Sequence, residues 1–458
     1  MIQFAPAAAM DIPVENTSPP VRRAALVFIF ITLLIDILSF GLIIPVLPHL
    51  IKNFVGGDTS LAAWWYMAFA VVFMAMQFVF TPVQGALADR FGRRPIILAS
   101  NLGLGLDFLM MALVNTLPLL FIGRVISGIT SASFSASNAY VADVTPPEKR
   151  AQAFGVLGIA FGVGFVIAPV IGGLLGEIHP RLPFWAAVFM CLTNFCYGLF
   201  VLPESLTPDK RSARFDWAHA NPFGALKLLS RYPQVLGLVG VVALIALAHM
   251  VYPTTFVLYA DYRFGWGPRM VGITLGLVGI LSAIVQGGLI KPIVGKLGER
   301  RALLFGLACG MLGFTLYALA PTGYWFWAAM PIATFWGVAQ PAAQAMMSHL
   351  VDPREQGRLQ GAVASVSSIA GIVGALLFPS TLALVSGSHD HGIWAGATFF
   401  IAASILGCAL LFAWYLSAHL PDAVTAATKL EPGPDITEEI AASTSELRAP
   451  VREGESLP

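Results

Sequence analysis

Charge is scarce in this chain. Asp, Glu, Lys and Arg make up 11% of its 458 residues while 57% are hydrophobic, whereas soluble domains carry about 25% charged residues. The balance is that of an integral membrane protein. Cysteine is scarce too: Cys191, Cys196, Cys309 and Cys408 all fall in apolar stretches, where a thiol serves as a small apolar side chain, so no disulfide framework is implied. A phosphate-binding loop, a cluster of metal-ligating residues and a nucleophile constellation are also missing, so we expect no enzyme, no metal site and no cofactor. A formal net charge of +1 gives no sign of a nucleic-acid partner. Residues 1–23 contain Pro13, Pro19 and Pro20 but no apolar run beside a cleavage site, so they read as a disordered tail, and the first span as its own insertion signal. Residues 420–458, with Pro421, Pro432, Pro434 and several Glu, Ser and Thr, read as a second such tail.

What the chain has in abundance is long hydrophobic runs. A bilayer core of roughly 30 Å needs about 20 apolar residues per helix. Twelve segments qualify: 24–50, 62–84, 95–116, 118–142, 151–175, 183–203, 233–260, 269–293, 301–320, 325–350, 358–384 and 393–419. Placing both termini in the cytoplasm leaves Lys52, Arg181, Arg263 and Arg269 as the loop cations outside. The reverse orientation breaks the positive-inside rule at almost every loop. Residues 204–232 divide the spans six and six, and Asn221 to Leu229 read as the start of a short interfacial helix.

Residues 85–95, Gly-Ala-Leu-Ala-Asp-Arg-Phe-Gly-Arg-Arg-Pro, form a charged, glycine-rich stretch between two spans and read as a tight cytoplasmic hairpin. Pro95 suits the first turn of the following helix, where its missing N–H has no partner. The stretch resembles the signature loop between helices two and three of the major facilitator superfamily, matching it at Gly85, Asp89, Gly92, Arg93 and Arg94. The resemblance implies an all-α membrane protein of twelve transmembrane helices in two six-helix halves, here 24–203 and 233–419, with substrate between them. It also implies a gating role for the hairpin residues. The second half echoes the first, since Lys291 to Arg301 aligns with 85–95 through Gly298 on Gly92, although Lys291 and Gly295 replace the first glycine and the aspartate.

Asp36 lies twelve residues into the first span, roughly 18 Å deep at about 1.5 Å per residue. Asp107 has a similar depth in the third span. An ionised aspartate there costs about 2.5–3.5 kcal/mol on insertion scales, so such residues face the bundle interior and bind or titrate something. A proton and a cationic substrate competing for one carboxylate is one use; pairing with a buried Arg or capping a broken helix is the structural one. Arg124 is the one Lys or Arg well inside a span, and Leu120, Arg124 and Gly128 match helix four of proton-linked members of the superfamily. A guanidinium does not deprotonate, so Arg124 either modulates a carboxylate or makes a structural ion pair with Asp107 or Asp143.

Helix five carries Gly155, Gly164, Pro169, Gly172 and Gly173 in the order of the superfamily's antiporter motif, with Ala168 in place of a glycine. Small residues so spaced let helices approach closely, and Pro169 is expected to break the helical ladder. Asp36 with Gly41 to Pro48, Gly123-Arg124 through Thr130, Ala139 to Asp143, Leu202-Pro203-Glu204-Ser205 and Gln356 to Gly361 resemble the tetracycline/proton antiporters over residues 24–419. In that branch residues matching Asp36, Asp89, Arg93, Asp107 and Arg124 are functional. Two positions depart: Ser282 stands for a helix-eight histidine and Cys309 for a helix-nine aspartate, which puts tetracycline itself in doubt.

Gln77, Asn138, His249, Gln286 and Gln340 are candidates for a substrate cavity, with Asn101, Asn194 and Gln344 further polar residues inside spans. His249 titrates nearest neutral pH and is a stand-in for the missing histidine. Trp64, Trp65, Trp185, Trp325, Trp327 and Trp394 lie near span ends as interface anchors. The expected function is secondary active, proton-coupled efflux of an amphipathic drug or metabolite by a monomer, in a bacterial inner membrane and in contact with lipids and protons. Uptake of a small nutrient is the alternative, and should lack the glycine order of helix five. A non-transporting receptor or scaffold gains nothing from burying Asp36, Asp107 and Arg124.

Overall fold

The computed structural model describes residues 20–131, 133–146, 149–207, 209, 211–212, 233–352, 355–387 and 392–419. Residues 1–19 of the first expected tail, the whole of the second, and the expected interfacial helix at Asn221 to Leu229 lie outside them, whereas residues 20–23, expected in the tail, already belong to the first helix. The described elements are all helical. The first half holds α1 (Pro20–Ile43), α2 (Leu47–Phe54), α3 (Thr59–Phe91), α4 (Arg93–Leu113), α5 (Leu117–Thr130), α6 (Ser133–Val144), α7 (Arg150–Ile178) and α8 (Leu182–Phe200). The second holds α9 (Pro233–His249), α10 (Val251–Phe264), α11 (Pro268–Ile284), α12 (Ile290–Leu319), α13 (Gly323–Thr334), α14 (Ala339–His349), α15 (Gln356–Gly387) and α16 (Ala397–His419).

Among the described residues ten stretches are long and apolar enough to span a membrane. One of them, Pro268–Leu319, has 52 residues, about 78 Å of helix, more than twice the hydrocarbon thickness. It is two crossings divided at Gly298, whose φ of 75° no helix accommodates. The stretch from α13 to α14 is interrupted by a 3-10 turn at Phe335–Val338 and diluted by Gln340, Gln344 and His349, so hydropathy alone passes over it. With these two adjustments the helices are consistent with the expected twelve crossings.

The hairpin differs from expectation. Residues 85–91 belong to α3, α4 begins at Arg93, and the connection is Gly92 alone. Its φ of 109° is one that a side chain strongly disfavours, and a Cβ there would stand 2.6 Å from Glu204 Cδ. Gly298, the residue aligned with it, also has positive φ, so the two halves turn at equivalent glycines. Pro169 does not interrupt α7, which runs on to Ile178.

The halves meet at the end of the bundle opposite the hairpin. There one apolar cluster combines Leu42, Val46, Leu47 and Phe69 of the first half with Leu258, Leu382 and Ala383 of the second. Polar contacts add to the seal: Lys52 Nζ lies 2.5 Å from Asp261 Oδ2, His49 Nε2 is 3.2 Å from the Trp266 carbonyl, and Tyr66 Oη donates to the Pro253 carbonyl at 2.8 Å. Toward the hairpin end the first half keeps a separate core of Ile29, Leu33, Ile97, Tyr140 and Val141. Apolar residues thus seal one end, and a cavity occupies the space between the halves toward the other.

Candidate functional site

The cavity has a volume of about 1340 Å³, at or above the roughly 300–1,000 Å³ of drug-sized ligand sites. Phe40 of α1, Tyr66, Phe69 and Phe73 of α3, and Phe161 and Phe165 of α7 form one wall. Tyr252 and Phe256 of α10 and Trp336 of the 3-10 turn form the other. His249 ends α9, where the crossing breaks before α10, and its exposed ring lies 5.4 Å from Trp336 and 6.2 Å from Tyr252. Gln286 and Ser282 also line the cavity, and Arg124 reaches it from α5. Of the five candidate residues His249 and Gln286 are therefore brought together, whereas Gln77, Asn138 and Gln340 are not among the lining residues. The wall is mainly aromatic, and aromatic residues of long spans read as core or lipid-facing from sequence, which is why Trp336 and Tyr252 carried no signal.

Asp36 lies beside this space rather than in it, 8% exposed. One carboxylate oxygen accepts from Ser133 Oγ at 2.5 Å and the other from Asn194 Nδ2 at 2.7 Å. The Asn101 amide, with its nitrogen toward the carboxylate, lies 3.1 Å from both oxygens. Helices α1, α4, α6 and α8 meet at this point through neutral donors, and among the described residues no Arg pairs with Asp36. Asn101 and Asn194 serve Asp36 and not the cavity.

Asp107 is the opposite case. It is fully buried, and Arg124 grips it through Nε at 3.3 Å and through Nη2. The guanidinium also stands 5.6 Å from the Phe73 ring. Of the two structural partners expected for Arg124, Asp107 is the one found.

Asp143 serves the hairpin instead. Arg93 Nη2 lies 2.7 Å from Asp89 Oδ1 and Arg93 Nε 3.2 Å from Asp143 Oδ2, tying α3 and α4 to α6. Glu204 caps α4, its carboxylate accepting from the backbone N–H groups of Arg93 at 2.8 Å and Arg94 at 3.3 Å. A carboxylate on a helix N-terminus meets unpaired donors and the positive end of the helix dipole. Arg94 in turn donates to the Gly198 and Leu199 carbonyls that end α8. Sequence reasoning quoted Glu204 as part of a resemblance and missed this role; an acidic residue just past a span end was its only signal.

The glycines of α7 divide along the helix. Gly155, Gly158 and Gly162 line the cavity with nothing within 4 Å of a would-be Cβ. Gly164 packs on Ile37, Gly172 on the Leu42 carbonyl, and Gly173 on Gly272 of α11, so only this part bears out close helix approach. Ala168, the departure from the motif, sits against Gly41, which has the room its methyl needs.

A profile of the Major Facilitator Superfamily matches residues 29–375. The class C tetracycline resistance protein of Escherichia coli is 36% identical over 378 residues, covering 82% of this chain and 94% of that protein. The class G protein of Vibrio anguillarum is 34% identical over 381 residues, covering 83% and 96%. Among solved structures the nucleoside transporter NupG is similar in fold, with a TM-score of 0.67 at 14% identity, covering 86% of this chain and 98% of that one.

Proposed function

The chain belongs to the major facilitator superfamily, and from that premise we propose that it exports an amphipathic compound in exchange for protons. It is a multi-pass membrane protein and a secondary transporter. The observation that carries proton coupling is Asp36, a carboxylate at mid-membrane depth whose partners Ser133, Asn194 and Asn101 are all neutral. Such a group gains or loses a proton without stranding a buried cation. Protonating Asp107 would leave the Arg124 guanidinium unpaired, so this pair positions and Asp36 carries. Export over uptake is supported by the ordered glycines of α7 and by relatives named for tetracycline resistance. Ser282 and Cys309, in place of a histidine and an aspartate, argue against tetracycline itself.

The positive-inside rule puts the hairpin end in the cytoplasm of a bacterial inner membrane, and in that reading the protein works as a monomer, faces inward with its far end sealed, and loads its cavity from the cytoplasm. Gly85, Asp89, Gly92, Arg93 and Arg94 then hold α3 and α4 as one unit during the rocking of the halves. In proteoliposomes with an imposed pH gradient, Asp36→Asn inserts normally and loses efflux, because the amide keeps the size, with its oxygen accepting from Asn194 and the Ser133 hydroxyl turning to accept from its NH2, but does not titrate. Full activity of that variant would reduce Asp36 to a structural residue.

A further inference from the structure

Arg124 is the one permanently charged side chain among the described residues that line the cavity, and none of them is Asp or Glu. Neither of the two carboxylates nearby is in the lining. Asp107 is sealed behind Arg124, which turns the positive end of that ion pair toward the cavity. Asp36 is held on both oxygens by Ser133 and Asn194. An organic cation entering here would leave water without gaining a counter-ion in the lining, and Phe73, the ring nearest Arg124, already faces its guanidinium.

The other wall offers a flat surface and neutral polar groups. The His249 and Trp336 rings lie 5.4 Å apart, and Gln286 lies next to Gly337. Ser282 is four residues from Gln286 on the same helical face.

We propose that the cavity takes planar aromatic compounds that are neutral or bear an anionic group, with the anionic end toward Arg124 and the ring system against Trp336 and His249, and that it discriminates against organic cations. This rests on the transporter reading above and adds the charge class of the cargo.

Two dyes sharing the xanthene ring test it: carboxyfluorescein, an anion, and rhodamine 6G, a cation. Binding is read by fluorescence anisotropy on the full chain in lipid nanodiscs, without any gradient. The expected result is carboxyfluorescein bound about tenfold more tightly, because the guanidinium is the end of the ion pair nearer the cavity. Ser282→Asp, which puts a carboxylate into the wall, reverses the preference. Tighter binding of rhodamine 6G by the unmodified chain, binding of neither dye, or an unchanged ratio in Ser282→Asp would each overturn the assignment. If the anion preference holds but a pH gradient moves neither dye in proteoliposomes, the charge class stands and the transport reading fails.

Discussion

Gly173→Ala separates the two access states most directly. Gly173 of α7 and Gly272 of α11 join the halves backbone to backbone, and a Cβ at Gly173 would stand 2.5 Å from the Pro268 carbonyl oxygen and 3.1 Å from Gly272 Cα. Non-bonded heavy atoms rest at about 3.5–4.0 Å, so the helices must part by close to an ångström. Overpacking of this kind costs about 1–3 kcal/mol, and it falls on the state in which these helices touch. A loss of about 1.4 kcal/mol is a tenfold shift in the equilibrium. At Gly158, by contrast, a Cβ meets nothing within 4 Å, so Gly158→Ala leaves the present state unaffected. The assay places a cysteine at Ile159, which lines the cavity and is 61% exposed, in a background with the four native cysteines replaced. An impermeant maleimide then reaches it from the hairpin side of inverted vesicles. Labelling slows by up to about tenfold in Gly173→Ala and holds or quickens in Gly158→Ala. Unchanged labelling in Gly173→Ala would refute the view that α7 and α11 close the far end.

Asp107→Asn alone strands the buried Arg124 guanidinium and lowers stability by about 3–5 kcal/mol, whereas Asp107→Asn with Arg124→Gln loses less than the sum of the singles; additive losses in thermal melts would count against a buried pair. The Lys52–Asp261 pair is partly exposed, with side chains at 21% and 19%, so Asp261→Asn weakens the far-end seal by no more than about 1 kcal/mol. Exchanging the charges, Lys52→Asp with Asp261→Lys, restores the labelling rate of the parent, and failure to do so would show that the contact is incidental. The unmodified chain confers weak or no tetracycline resistance on a sensitive host, and Ser282→His with Cys309→Asp gains some. Strong resistance from the unmodified chain would remove the weight placed on these two positions.

Hydropathy and charge placement determined from sequence alone that the chain spans a membrane many times, because an apolar run of bilayer length has no other stable home. The glycine and arginine pattern at 85–95, and its echo at Gly298, marked the turns of both halves, since positive φ is a local demand that glycine meets wherever the chain goes. Asp36, Asp107 and Arg124 were legible as well, because buried charge is rare enough to stand out one residue at a time. Which of them pair was not legible. Asp107 and Asp143 were equal partners for Arg124 until helix packing set Asp107 beside it and gave Asp143 to Arg93. The neutral shell of Asp36 comes from α4, α6 and α8, whose relative rotation no single helix encodes. The same holds for the cavity: a polar residue in a span reads alike whether it faces a void, a neighbour or lipid, so His249 and Gln286 could not be told from Gln77, Asn138 and Gln340 until two halves, each folded on its own core, closed against each other at one end.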